Sequence, residues 1–142
     1  MLLLLVIGAM QKAWGPSIFQ FLNNKEYVRL DFLIKRAFLI VSIFALGLVL
    51  FAKEIVLILA DEKFHEGLRV VPIVVIGYVF YEMFTIYGIY PGYTKKTVYH
   101  SIIALTAGIS NIILNAIYIP KYGYIAAAYT TVVSYFIMFL LA

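Results

Sequence analysis

The sequence predicts an all-α fold, a polytopic membrane helix bundle with about five transmembrane helices. Hydrophobic residues make up 65% of the 142 residues, charged residues only 13%, and the mean hydropathy is +1.01. A soluble domain is about half apolar and about a quarter charged. The apolar residues also form blocks close to the roughly 20 residues that cross about 30 Å of hydrocarbon. This composition therefore predicts a protein that is embedded in a lipid bilayer.

Five hydrophobic segments form a single predicted transmembrane region, with spans at about 1–22, 32–52, 70–90, 98–119 and 124–142. Each segment is apolar at successive positions, whereas the strands of a membrane barrel alternate between apolar and polar residues. In lipid the backbone must satisfy its own hydrogen bonds, which an uninterrupted apolar run does as a helix. Between the spans we expect a short interfacial helix at 23–31, an amphipathic surface segment at 53–69, and tight turns at 91–96 and 120–123.

The basic residues predict the orientation of the bundle, because Lys and Arg favour the cytoplasmic side. One side would carry six of them: Lys25, Arg29, Lys35, Arg36, Lys95 and Lys96. The other would carry four: Lys53, Lys63, Arg69 and Lys121. The six-residue side, with the turn at 92–96, is therefore predicted inside, and Pro120–Gly123 outside. These residues lie between apolar blocks and form no basic face with stacking aromatics, so no nucleic-acid partner is predicted.

The fourth segment carries small and polar residues at helical spacing, including Asn111 and Asn115. The full stripe is Ser101, Ala104, Gly108, Asn111, Asn115 and Tyr118, and the fifth segment offers Gly123, Ala127, Thr130, Thr131 and Ser134. In lipid such residues let helices approach closely and hydrogen-bond to each other. The two stripes therefore predict a helix hairpin held by these residues. The alternative is that Asn111 and Asn115 face a polar central cavity.

Two charged residues lie well inside predicted spans, Glu82 in the third and Lys12 in the first, whereas Lys35 and Arg36 lie near the start of the second. A charge at mid-membrane costs a few kcal/mol or more unless it meets a partner or water. Glu82 is thus either a proton-carrying group or a structural carboxylate bonded to a tyrosine or a cation. Lys12 either extends its long side chain to the interface or faces a cavity and meets an anionic headgroup or diphosphate.

No enzyme is predicted. The sequence has no nucleophile elbow, P-loop, H-E-x-x-H motif or paired carboxylates. Neither His65 nor His100 has metal-ligand spacing, and cysteine is absent, so neither a metal nor a cofactor is predicted.

The run from Asn111 to Ser134, NIILNAIYIPKYGYIAAAYTTVVS, resembles a signature of Wzx-type polysaccharide flippases, which belong to the multidrug, oligosaccharidyl-lipid and polysaccharide exporters. The matching residues are Asn111, Leu114, Asn115, Ile119, Pro120, Gly123, Ala127, Ala128, Thr131 and Ser134. Ala126 stands where that family often has Gly, and Thr130 where it usually has Ala. The stretch 58–64 is similar to the family's loop after a helix, with Ala60 or Asp61 in place of Gly. Ala13–Phe19 is similar to a helix end with proline.

The resemblance implies a transporter of twelve to fourteen helices in two lobes, of which this chain would be part of the carboxy-terminal lobe. Its substrate would be a lipid diphosphate-linked oligosaccharide in the cell membrane, and its partners the bilayer and the remaining helices of a parent transporter. A hydrophobic helix that starts at Met1 without a basic leader also favours a piece of a larger protein. The alternatives are a multidrug or organic-cation antiporter of the same fold and a truncated membrane protein without transport activity.

Overall fold

The computed structural model describes residues 2–59 and 62–142, and these residues form helices joined by short turns. Seven are α-helices and one is a 3-10 helix, and no strand occurs in the described ranges. The α-helices are α1 (Leu2–Asn23), α2 (Tyr27–Leu50), α3 (Ala52–Leu59), α4 (Val71–Tyr87), α5 (Ile89–Tyr93), α6 (Thr97–Tyr122) and α7 (Tyr124–Leu141), and the 3-10 helix is Glu62–Val70. The all-α prediction is confirmed.

Five helical stretches are long and apolar enough to cross a membrane: Leu2–Asn23, Tyr27–Leu50, His65–Tyr93, Thr97–Tyr122 and Tyr124–Leu141. Each corresponds to one predicted span, although the ends differ by several residues. By length and composition the chain therefore has the helices of a multi-pass membrane protein. The predicted surface segment at 53–69 is helical where described, but Ala60 and Asp61, used in the resemblance, lie outside the described residues.

The separate interfacial helix expected at 23–31 is wrong, because α2 begins at Tyr27, five residues before the predicted span. The connection from α1 is only the turn 24–26, in which Lys25 has a φ of 57°. Glu26 pairs with Arg29 at 2.8 Å, and Asp31 pairs with Lys35 at 2.6 Å. Such pairs three and four residues apart fit a helix surface, so the charged stretch forms the first turns of the span itself.

Three prolines lie inside helices: Pro91 and Pro120 where the sequence predicts turns, and Pro16 where the resemblance implies a helix end but the predicted span 1–22 continues. Helix α1 continues through Pro16 to Asn23, Pro91 lies in α5, and Pro120 lies in the last turn of α6. A proline removes one backbone hydrogen bond to the carbonyl four residues earlier, and membrane helices tolerate this loss where neighbouring groups compensate. The actual turns are therefore shorter than predicted: 94–96, with Lys95 at a φ of 58°, and the single residue Gly123.

Helices α4 and α7 occupy the middle of the bundle. Helix α7 packs against both α4 and α6, while α2 packs against α1 and α4. One buried cluster joins α1, α2 and α4 through Leu3, Ile7, Val41, Ala45 and Val75. A second joins α4, α6 and α7 through Phe84, Ala107 and Met138. Interlocking apolar side chains thus connect all five long helices.

The outward face of α6 is apolar and exposed, as expected of a helix that faces lipid. Only Ala107 of this helix is fully buried. The large side chains that are at least half exposed include Ile102, Leu105, Ile109, Ile112 and Ile113. An exposed apolar surface of this extent is typical of a membrane or protein interface.

Successive connections lie at opposite ends of the bundle. Phe19 and Tyr93 stack with their ring centroids 6.3 Å apart, which brings the turn after α1 close to the turn after α5. At the other end the Tyr124 hydroxyl donates to the Glu66 carbonyl over 3.3 Å, which joins the α6–α7 turn to the 3-10 helix. The two turns that flank α6 are therefore separated by the length of that helix. Which end faces the cytoplasm stays a prediction.

Candidate functional site

A cavity of about 330 Å³ lies among α1, α2, α4, α5 and the start of α6. We call it the Glu82 cavity. Its apolar walls come mainly from α1 and α2, and its polar groups come from Gln11, Glu82, Thr85 and His100. The remaining lining residues are Met10, Trp14, Gly15, Ile18, Phe19, Leu33, Ile34, Ala37, Ile86, Gly88, Ile89 and Gly92.

Glu82 is the buried ionisable group of this cavity, with only 2% of its surface exposed. The Thr85 hydroxyl, one helical turn away, lies 3.1 Å from carboxylate atom Oε2 and 2.8 Å from the Glu82 backbone carbonyl. Gln11 of α1 lines the same cavity. The Glu82 carboxylate is thus bonded by a hydroxyl, and an amide lines the same cavity. Neither the tyrosine nor the cation partner considered from the sequence is recorded among residues 2–59 and 62–142.

These contacts limit what the Glu82 carboxylate can do chemically. A buried carboxylate whose side-chain partner among the described residues is one hydroxyl carries a desolvation cost that this bond offsets only in part. Uptake of a proton or approach of a cation would remove that cost. The Glu82 cavity is therefore suited to hold a proton or a cationic group.

His100, which has no metal-ligand spacing in the sequence, lines the same cavity. Its ring stacks on Phe84 of α4, with centroids 3.9 Å apart and planes 7° apart. Gly88 makes this approach possible, since a Cβ atom there would lie 2.2 Å from His100 Cε1. A lone histidine at a helix start gives no sequence signal for such a contact, which depends on how α6 packs against α4.

Lys12 does not share a cavity with Glu82. Its side chain is exposed on α1, and it is not among the residues that line the Glu82 cavity. Neighbouring residues of a helix point about 100° apart, so Gln11 turns toward Glu82 while Lys12 points elsewhere. The structure therefore places Glu82 in the cavity and Lys12 on the outer surface of the described bundle.

Asn111 and Asn115 lie on the face of α6 that packs against α7. The Asn115 amide donates to the Asn111 side-chain oxygen over 2.9 Å, and the Thr130 hydroxyl of α7 donates to the Asn115 side-chain oxygen. Neither asparagine lines the Glu82 cavity. The bond between Asn115 and Thr130 is the contact that the helix-hairpin interpretation requires.

The predicted small-residue stripes are correct only in part. On α6 the buried small residue is Ala107, whereas Gly108 faces open space and Ser101 is exposed. On α7 the buried residues are Ala126, Ala128, Thr130, Ser134 and Met138. Helix α7 buries two faces because it lies between α4 and α6, and a single stripe cannot describe a helix with two partners.

Comparison with known proteins finds no family model, curated protein or solved structure that matches this chain.

Proposed function

We propose that this chain serves in membrane transport, as part of a flippase that moves a lipid diphosphate-linked oligosaccharide across the cell membrane. The observation that carries the proposal is the stretch 111–134. It resembles the flippase signature, and its Asn115 is bonded to Thr130 across the α6–α7 hairpin. Gly123 forms the turn of that hairpin, and it is also one of the residues that match the signature.

The size of the Glu82 cavity supports the participation of further helices. At about 330 Å³ it lies near the lower end of the roughly 300–1,000 Å³ that drug-sized ligands occupy. An oligosaccharide with a diphosphate is larger than such a ligand. Under this proposal, the remaining helices of a parent transporter complete the path for the saccharide, and the bilayer holds the lipid.

A second candidate, an organic-cation or multidrug antiporter, is favoured by the charge of the cavity. Its lining includes the carboxylate of Glu82 and the aromatic rings of Trp14 and Phe19, but neither lysine nor arginine. A carboxylate and aromatic faces attract cations, whereas an anionic diphosphate calls for basic groups. This candidate shares the fold and the site with the first and differs in the substrate.

Reconstitution of the protein into liposomes separates these candidates. Protein purified from its own membranes in mild detergent would retain the further helices that assemble with it. We expect a fluorescent lipid diphosphate-linked oligosaccharide to cross the bilayer, measured as protection from a membrane-impermeant quencher. Movement of ethidium without movement of the lipid would contradict the flippase proposal and support the antiporter. Movement of neither would contradict both candidates and favour a membrane protein without transport activity.

The Glu82→Gln substitution tests the role of the carboxylate in the same liposomes. Glutamine keeps the size and the hydrogen bonds but cannot bind or release a proton at this site. We expect the part of transport that depends on a pH gradient to be lost, while an unchanged thermal unfolding temperature confirms folding. Glu54→Gln, at an exposed position on α3, is the matched control. Full gradient dependence in the folded Glu82→Gln protein would exclude proton transfer by Glu82.

A further inference from the structure

The net charge of the protein is concentrated at one end of the bundle. The sequence from 24 to 36 and from 92 to 97 contains six basic and two acidic residues, a formal charge of +4. The connections at the other end, 52–70 and 120–124, contain four basic and four acidic residues, a formal charge of zero. We call the end with the turns 24–26 and 94–96 the basic end.

Much of the positive charge at the basic end is not neutralised within the described residues. Two of the six basic residues, Arg29 and Lys35, form ion pairs with the two acids of this end. Arg36 lies over the ring of Phe32, 4.2 Å from its centroid. Lys25, Lys95 and Lys96 are exposed, and no ion pair to them is recorded in the part of the chain that the structure describes.

An apolar groove of about 510 Å³ runs from the basic end into the membrane-spanning region, between α2 on one side and α4 and α5 on the other. Apolar and aromatic side chains line most of it, among them Ile34, Phe38, Met83, Ile86, Tyr90 and Phe139. The exposed ion pair of Asp31 and Lys35 is also part of its lining. We call this feature the α2–α4 groove.

We propose that the α2–α4 groove binds an anionic phospholipid, with an acyl chain along the apolar walls and the headgroup phosphate among the basic residues. The groove and the charge together select this occupant. An acyl chain fits apolar walls in a bilayer, and basic residues at the surface attract anionic lipid headgroups. A second copy of the chain bound at the same groove would bring a second charge of +4 to the same end, and the two like charges would repel each other. The proposed lipid site does not rest on the proposed transport function.

The first test compares phosphatidylglycerol with phosphatidylcholine of the same acyl chains, added to the detergent-purified protein and measured by native mass spectrometry. We expect phosphatidylglycerol to remain bound preferentially. The double variant Lys95→Gln/Lys96→Gln should weaken that binding by roughly tenfold or more. The control variant Lys53→Gln/Lys121→Gln removes the same charge from the other end and should leave binding unchanged. Equal binding of both lipids, or equal loss in both variants, would overturn the proposal.

The second test fills the groove. Met83→Trp places a larger side chain among its walls and should reduce retention of phosphatidylglycerol, whereas Ile76→Trp, at an exposed position of the same helix, should not. The thermal unfolding temperature of each variant verifies that it is folded. If inorganic phosphate displaces the bound lipid as effectively as added phosphatidylglycerol does, the site does not need an acyl chain. That result would contradict the proposal. If the protein is a dimer in detergent and Met83→Trp dissociates that dimer, the groove binds a second copy of the chain instead of a lipid.

Discussion

At the scale of single residues, the hydrogen bond from the Thr130 hydroxyl to the Asn115 side-chain oxygen joins the last two long helices. Asn115 also donates to Asn111, so the three side chains form a short chain of polar contacts between α6 and α7. In lipid a polar side chain that loses its partner finds little water to replace it. The contact therefore contributes to the stability of the hairpin, at a magnitude of about 0.6–2 kcal/mol for such bonds.

The Asn115→Leu substitution should lower the free energy of unfolding by around 1 kcal/mol, because it removes this bond and leaves the Thr130 hydroxyl without its partner on α6. Unfolding in mixed micelles with increasing denaturing detergent measures the change. Thr130→Val tests the same bond from α7, and the double variant should lose less than the sum of the two single losses. Strictly additive losses would show that the two side chains do not stabilise each other.

Gly123 is the residue at which the backbone itself requires glycine. Its φ of 70° and ψ of −161° lie in a region that only glycine adopts readily. We expect Gly123→Ala to cost about 1–3 kcal/mol in the free energy of unfolding. The space around a Cβ atom there is open, so the cost would come from the backbone alone.

Gly108→Ala is the matched control for that substitution. Gly108 lies inside α6 and also faces open space. Alanine should be neutral or stabilising there, by up to about 1 kcal/mol, because glycine is a poor helix residue. Equal effects of the two substitutions on unfolding would contradict the conformation assigned to Gly123.

At the scale of helices, α4 and α7 come close together at Gly77. A Cβ atom at Gly77 would lie 3.4 Å from side-chain atoms of both Val132 and Tyr135. Alanine would still fit at that distance, but any longer side chain would push the helices apart. Small residues are the usual means by which membrane helices come this close.

We expect Gly77→Leu to destabilise the bundle by about 1–3 kcal/mol, the usual cost of inserting extra groups into a packed interface. Gly47→Leu on α2 is the control, because nothing lies near that position in the described structure. It should be neutral or stabilising. Thermal unfolding of the two variants in the same detergent makes the comparison, and a tolerated Gly77→Leu would disprove the close approach.

Hydrophobic blocks predicted the five spans well, because block length is set by the bilayer and is visible in the sequence. The helix ends were predicted less well. Proline at 91 and 120 suggested turns, yet both residues lie inside helices, whereas α1 continues through Pro16 as the predicted span 1–22 does. Whether a membrane helix tolerates proline depends on neighbouring groups in three dimensions, and the sequence of one segment does not contain that information.

The candidate site is a property of the whole molecule, and the sequence predicted only part of it. Glu82 was found because a carboxylate in an apolar span is unusual in itself. Gln11 and His100 were missed, because their approach to this region depends on the packing of α1 and α6 against α4. Lys12 was predicted as a possible cavity residue only because it is a charged residue inside a span. Its side chain lies on a different face of α1 and does not line the Glu82 cavity.

The arrangement of the helices as membrane spans can be tested by cysteine labelling, because these 142 residues contain no cysteine of their own. Lys121→Cys lies at one end of α6 and Lys95→Cys just before the other, both at exposed positions. With a membrane-impermeant thiol reagent added to intact cells, we predict labelling at position 121, and labelling at position 95 only after the cells are opened. Labelling of both positions in intact cells would contradict a membrane-spanning α6, and labelling of position 95 alone would reverse the predicted orientation.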